Sequence, residues 1–301
     1  MLEGQNGLNW KHWKNILQAA ETLGFQCVFR SDHYSNSNPP DRDSLELWVS
    51  LTYAATHTQR IEFGSLVAPV TFRHPAMTVR MAAAVDDLSG GRLVLGLGTG
   101  WQEREHKQFG VPFYDRKTRF EMLQDALEMT TRLLDSQIPV SYSGKHFTLE
   151  NAILLARPQR RLPILIGGNG QHKTLGFAAN YAQEWNAVFT TPDAVSANNT
   201  RLDDLLHANG RQPRAVKRSL MHGLVYGADH ELAGKAAALY RMTPEQARER
   251  SMFVGKGQAL VDHIGRYVDA GIERFMLQWL DYDDVDGLAA LANDIIGVFN
   301  N

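Results

Sequence analysis

Two hydrophobic periods alternate along this chain. Trp13, Ile16, Leu17, Ala20 and Leu23 recur three or four apart, which predicts one face of a helix that Gly24 stops. Residues 27–29 then form a short continuous apolar run, the pattern of a buried strand. Asp43 and Glu46 have the spacing of a capping box ahead of a helix reaching about His57. "RIEFGSLVAPV" is strand-like, a helix opens near Pro75, and "RLVLGLG" over 92–98 is apolar enough for a strand buried on both faces. Phe120, Leu123, Leu127, Thr130 and Leu134 mark a long helix. The alternation pauses over about 136–162, where pieces such as "KHFTLENA" read as an insertion. It resumes with "LPILIGG", a helix from Gln171, "EWNAVF", a helix over 195–207 and "KRSLMHGLVYG". Two short helical pieces across 231–250, a helix near 260–270, "ERFMLQWL" and a terminal helix complete it. The opening "MLEG" reads as a first strand shortened at its front.

Eight strand–helix alternations predict a parallel sheet, and with one insertion the length suits a (β/α)8 TIM barrel, read as a single domain over 1–301. In that fold the functional groups stand at the C-terminal ends of the strands. The unusual polar clusters fall there. Ser31, Asp32 and His33 follow strand two, Thr71 and His74 follow strand three, and Thr99 to Arg104 follow strand four. A glycine turn follows strand five and Gln278 follows strand eight.

Composition narrows the function by exclusion. Lys plus Arg is 31 and Asp plus Glu is 33, so no basic surface for nucleic acid or membrane is expected. No apolar run is long enough to cross a bilayer and no basic-then-apolar leader opens the chain. The single cysteine, Cys27, fits a reducing compartment and reads as a small buried side chain. A soluble, cytoplasmic protein is the expectation. The histidines are scattered, and no metal site is expected.

Asp32–His33 is the strongest local signal. An imidazole can take or give a proton near neutral pH, and a neighbouring carboxylate can orient it or bind a polar ligand. A capping aspartate beside a structural histidine would look the same in sequence; the place at the barrel mouth favours chemistry. "LVLGLGTGWQ" is not a dinucleotide fingerprint, because Trp101 stands where the third glycine belongs. Nor does it match a methyltransferase motif, since Val94 replaces the acid. Two readings stay open there: small residues that admit a flat ligand, or a glycine turn with no ligand. "ILIGGNGQHK" is a glycine turn opening a helix, an arrangement that suits an anion, with His172 and Lys173 as added donors.

In order along the chain, "EGQNGLNW", "RSDHY", "GSLVAPVTFRHPA", "DDLSGGRLVLGLGTGWQEREHKQFG", "PILIGGNG", "YAQEWN" and "FMLQ" resemble the bacterial luciferase-like superfamily, in its branch using the deazaflavin coenzyme F420. The resemblance implies a TIM-like barrel with insertions, a homodimer, and a hydride transfer between F420 and a small organic substrate. An FMN-dependent monooxygenase is the alternative, and a non-catalytic cofactor store the third reading. It implies that Asp32 hydrogen-bonds the cofactor and His33 faces the substrate. Ser65, Leu66, Ala68, Thr99, Trp101 and Arg104 would wall the ring, and Gly167, Gly168, Asn169 and Gly170 would hold its phosphate. It further implies a bulge at Ser65–Leu66 carrying a cis peptide bond. Trp101, Gln102 and Arg104 depart from the Asn or Glu common in relatives, and the role of Glu3 is open.

Overall fold

A computed structural model describes residues 1–155 and 157–299. Its first half runs α1 (Trp10–Thr22), β1 (Cys27–Arg30), α2 (Leu47–His57), β2 (Glu62–Ser65), β3 (Ala68–Pro69), α3 (Pro75–Leu88) and β4 (Leu93–Gly98). After α4 (Glu103–Gln108) and α5 (Arg116–Asp135), β5 (Val140–Ser143) and β6 (Thr148–Ala152) pair antiparallel as the expected insertion. Then follow β7 (Ile164–Gly167), α6 (Lys173–Tyr181), β8 (Glu184–Val188), α7 (Pro192–Ala208) and β9 (Lys217–Tyr226). The last part holds α8 (Asp229–Tyr240), α9 (Pro244–Glu249), β10 (Phe253–Gly255), α10 (Gln258–Asp269), β11 (Arg274–Gln278) and α11 (Val285–Phe299).

The parallel order β1-β2-β4-β7-β8-β9 continues to β11, which pairs the lower half of β9. The short strand β10 takes the upper end of β9, where β11 has already ended, and no hydrophobic period announced it. Residues 1–2 close the ring. The Leu2 N–H donates to Phe29 O and its carbonyl accepts from Ser31, while on the other side Trp279 N–H donates to Met1 O and the Met1 nitrogen to Leu277 O. Inside the barrel Phe29, Leu66, Val94, Leu165, Met221 and Met276 pack together. The alternate residues, such as Phe63, Leu95, Ile166 and Leu220, face the helices in a larger outer core.

Two expected features shift. The α2 cap is Glu46 rather than Asp43, because the Glu46 side chain reaches its own helix and accepts from Val49 N–H at 2.8 Å. The bulge in the third strand exists, and register locates it: Gly64 pairs Val94 and Ala68 pairs Leu97, so four steps on one strand oppose three on the other. The extra residue therefore lies between Ser65 and Ala68. The cis peptide bond joins Leu66 to Val67, one bond later than the Ser65–Leu66 bond expected.

The bulge explains the glycines of "LVLGLG". A Cβ on Gly96 would overlap the Ser65 carbonyl oxygen, and one on Gly98 would overlap the Val67 side chain. The space those glycines leave is filled by the neighbouring strand, which decides against their admitting a flat ligand. Among the described residues no helix is long and apolar enough to cross a membrane, and no cluster of metal-ligating side chains occurs.

Candidate active site

A cleft of about 960 Å³ opens at the C-terminal ends of the strands, within the range of small-molecule sites. His33, Leu66, Trp101 and Gln102 line one side, and Met221, Gln278 and Glu3 reach it from the other strands and the N-terminal segment. Residues 189–191 and the 239–252 region supply the rest of its wall. That second region gives no sequence signal of a site: it reads as two short helices, and only the connection above β9 brings it over the mouth.

Asp32 and His33 separate although they are adjacent. Asp32 is 2% exposed and lies behind the cleft wall, where Arg73 donates to its two oxygens at 2.5 and 3.4 Å. Arg73 also bonds Glu46 at 2.7 Å, so one guanidinium ties two acids together. Burial pushes the Asp32 carboxyl up against the pull of Arg73. Burial alone would lower Arg73, but the charge of Asp32 holds it above its ordinary value. The fork of an arginine on a carboxylate is a strong, orienting contact.

His33 turns to the cleft. Its Nδ1 lies 2.8 Å from Oε1 of Glu105, whose other oxygen accepts from the Tyr34 main-chain N–H at 2.9 Å. Glu105 is 1% exposed. Burial opposes the imidazolium of His33, yet the hydrogen bond and charge of Glu105 outweigh it, and His33 titrates above its ordinary value. Trp101 meets the imidazole edge-on at 5.5 Å and is itself 63% exposed. His106, beside Glu105 on α4, faces elsewhere: its Nδ1 bonds the Gln102 carbonyl and its Nε2 bonds the Thr71 hydroxyl. Thr71 and His74 are thereby accounted for, since His74 caps α3 through its ring nitrogen at Ala76 N–H.

The other expected site residues are dispersed. Ser65 and Ala68 are buried in the wall. Thr99 is half-buried, its hydroxyl on the Gly100 carbonyl at 3.3 Å. Arg104 sits on the rim, paired with Asp41 and donating to Asn36 O. Gly167 ends β7, and Gly168, Asn169 and Gly170 form the surface turn between it and α6. Asn169 does not stand free there: its amide donates to Val188 O at 2.6 Å and accepts from Val188 N–H at 3.0 Å. Glu3 finds a role, accepting from Gln278 at 2.7 Å across the point where the ring closes. Glu105 and Arg73 were missed, and Glu46 was read only as part of a helix cap; Glu105 sits in an ordinary charged helical stretch, and only folding shows what it faces.

A closed parallel barrel with a polar-edged cleft over its strand ends is the architecture of a small-molecule βα-barrel enzyme. The chain belongs to the luciferase-like monooxygenase family, whose sequence model matches residues 2–278. It is 30% identical over 234 residues to the F420-dependent hydroxymycolic acid dehydrogenase of Mycobacterium tuberculosis, covering 75% of this chain and 62% of that one. It is 31% identical over 164 residues to the F420-dependent glucose-6-phosphate dehydrogenase of Kineococcus radiotolerans, covering 54% and 48%. The match thus spans less than two thirds of either relative's own length. In fold it is similar to an F420-dependent secondary alcohol dehydrogenase solved with an F420–acetone adduct, at TM-score 0.82 and 20% identity over 99% and 98% of the two chains.

Proposed function

We propose that this chain is an oxidoreductase that moves a hydride between coenzyme F420 and a small organic substrate. The observation that carries the reading is His33, whose Nδ1 is anchored by Glu105 while its Nε2 makes no protein hydrogen bond among the described residues, on the wall of the mouth cleft. Family membership and the F420-dependent relatives support the cofactor. When bound, the deazaflavin supplies a two-electron hydride donor or acceptor at its C5 carbon. The chain supplies the rest.

The cleft has room for a flat ring system and its substrate, and Leu66 presents an apolar surface at its base. The turn at 168–170 opens α6 with no side-chain cap at His172; Gly168 N–H is spent on Asn186 O and Leu175 N–H on Gly170 O, which leaves the main-chain N–H groups between them for an anion such as the cofactor's phosphate. Where an alcohol is oxidised, hydride loss from carbon leaves a hydroxyl proton to be taken; where a carbonyl is reduced, a proton must be given. His33 Nε2 holds that proton in either direction. Asp32 acts behind it, fixing Arg73 and the loop rather than presenting an oxygen to the cleft. A cofactor store would need no such titrating group over the ring.

The family's description as monooxygenases keeps FMN as the second reading. Titration of the purified protein with each cofactor, followed by fluorescence quenching, separates the two. Tight FMN binding with no response to F420 overturns the first reading. We also read the chain as one domain, a homodimer and cytoplasmic; light scattering after gel filtration gives the dimer mass directly.

A further inference from the structure

We propose that Glu105 is the positioning residue of the site: its carboxylate fixes His33 as the Nδ1–H tautomer and leaves Nε2 as the proton-holding atom toward the cleft. The role in turnover rests on the function proposed above; the tautomer does not. Donors and acceptors decide the tautomer. The Tyr34 main-chain N–H can only donate, and it takes Oε2 of Glu105 at 2.9 Å. Oε1 lies 2.8 Å from His33 Nδ1. Imidazole is a stronger base than a carboxylate, so the shared proton sits on Nδ1. A neutral imidazole has one N–H, and Nε2 is left with a lone pair.

Geometry makes this a device for holding a ring. The two contacts of Glu105 fall on consecutive residues of one loop, on the imidazole of His33 and on the backbone just past it. Only a carboxylate accepts at both; a glutamine amide would accept at one oxygen and set an N–H against the other donor. Glu105 is almost fully buried, so water cannot replace it. Trp101 packs against the imidazole from another side and limits its rotation. The charged groups facing His33 are Glu105 from α4, Glu3 from the N-terminal segment and Asp32 from its own loop, all favouring the imidazolium, with Arg73 offsetting Asp32.

The test uses the full chain without added cofactor. Long-range ¹H–¹⁵N correlation identifies the His33 ring by its loss in His33→Ala, then reports tautomer and titration. The wild type should show the Nδ1–H tautomer and titrate above the ordinary ~6.5 of histidine. Glu105→Gln should lower that midpoint by about one pH unit, tenfold in the protonation equilibrium. Glu105→Asp, which keeps the charge, should recover part of the shift. In turnover, with cofactor and substrate added, the limb of the pH profile set by His33, acidic for alcohol oxidation and basic for carbonyl reduction, should move with the NMR midpoint. An Nε2–H tautomer in the wild type, or an unchanged midpoint in Glu105→Gln, overturns the proposal. If the glutamine variant does not fold, the wild-type tautomer alone decides. Should the tautomer be as stated while His33→Ala keeps full turnover, the proposed function fails and the positioning role of Glu105 on the ring stands.

Discussion

Ser65→Ala removes a single oxygen from the barrel wall, and the register fixes what that oxygen does. Leu95 and Leu97 on β4 pair toward β7, with Leu95 N–H donating to Pro163 O. Gly96 between them turns its N–H and carbonyl the other way, toward the third strand, where the bulge has carried the backbone out of register. The Ser65 hydroxyl takes the place of the missing backbone partner. It donates to Gly96 O at 2.9 Å and accepts Gly96 N–H at 3.0 Å, at a side chain with no exposed surface. Alanine leaves both main-chain groups buried and unpaired, at about 1–3 kcal/mol each. Partial relaxation puts the sum near ~3 kcal/mol, or a melting temperature lower by about 6 °C at roughly 2 °C per kcal/mol for a chain of this size. Differential scanning calorimetry of parent, Ser65→Ala and Ser65→Cys reads this. The thiol keeps a weaker donor and acceptor at that point and should fall between the other two. If Ser65→Ala melts within about 1 °C of the parent, the side chain does not complete the ladder and the reasoning is wrong.

His33→Ala should keep the fold and cofactor affinity and lose about 10²–10⁴-fold in kcat, read by steady-state kinetics beside the binding titration. Because Glu105 raises the folded-state pKa of His33 above its unfolded value, this pair stabilises fully below about pH 6.5, and its contribution is lost as pH rises through the folded value. Chemical denaturation across that window should show the slope in the parent and not in Glu105→Gln. Asp32→Asn should destabilise at the lower end of the ~3–5 kcal/mol for breaking a buried pair, since Arg73 keeps Glu46; urea midpoints measure it. Gly168 has φ +120°, so any side chain there strains the turn and cannot test the phosphate alone. His172→Asp is the cleaner probe: a carboxylate at the start of α6 should leave stability level or raise it by ~0.3–1 kcal/mol, while cofactor affinity falls about tenfold. Equal affinity would place the phosphate elsewhere.

The alternation of periods was enough to read the barrel, because each buried strand and amphipathic helix carries its own pattern locally. What the sequence could not carry was pairing between distant residues. Glu105 lies in "EREHKQFG", where acids and bases follow each other as on any exposed short helix. Its partners, His33 and Tyr34, lie some seventy residues earlier. Arg73 was hidden likewise, since nothing local marks it as the counter-ion of Asp32 and Glu46. The strand β10 escaped because three residues are too few to show a period. Asp32 and His33 were legible as a pair at the mouth but not as two groups facing apart. In an extended segment, successive side chains point to opposite sides. One therefore meets Arg73 behind the wall and the other meets the cleft.

The same period-two logic accounts for Leu66 and Ala68, and for the bulge's bearing on the site. In a regular strand, Leu66 facing the barrel interior would bring Ala68 to that side too. The extra residue between Ser65 and Ala68 breaks the alternation, as a one-residue register slip flips every following side chain. Leu66 packs with Phe29, Val94 and Leu165 inside the barrel and shows at the base of the cleft. Ala68 and Val70 instead join the outer core beneath the helices. The bulge thus brings one apolar side chain to the floor of the cleft and takes the next candidate away. It also sets Val67 against Gly98, and Gly96 against the Ser65 carbonyl, which is why β4 carries glycine at both positions. A larger residue at either would push the third strand off β4 and move Leu66 with it. Those two glycines therefore shape the cleft from outside it, by fixing how closely the neighbouring strand can approach.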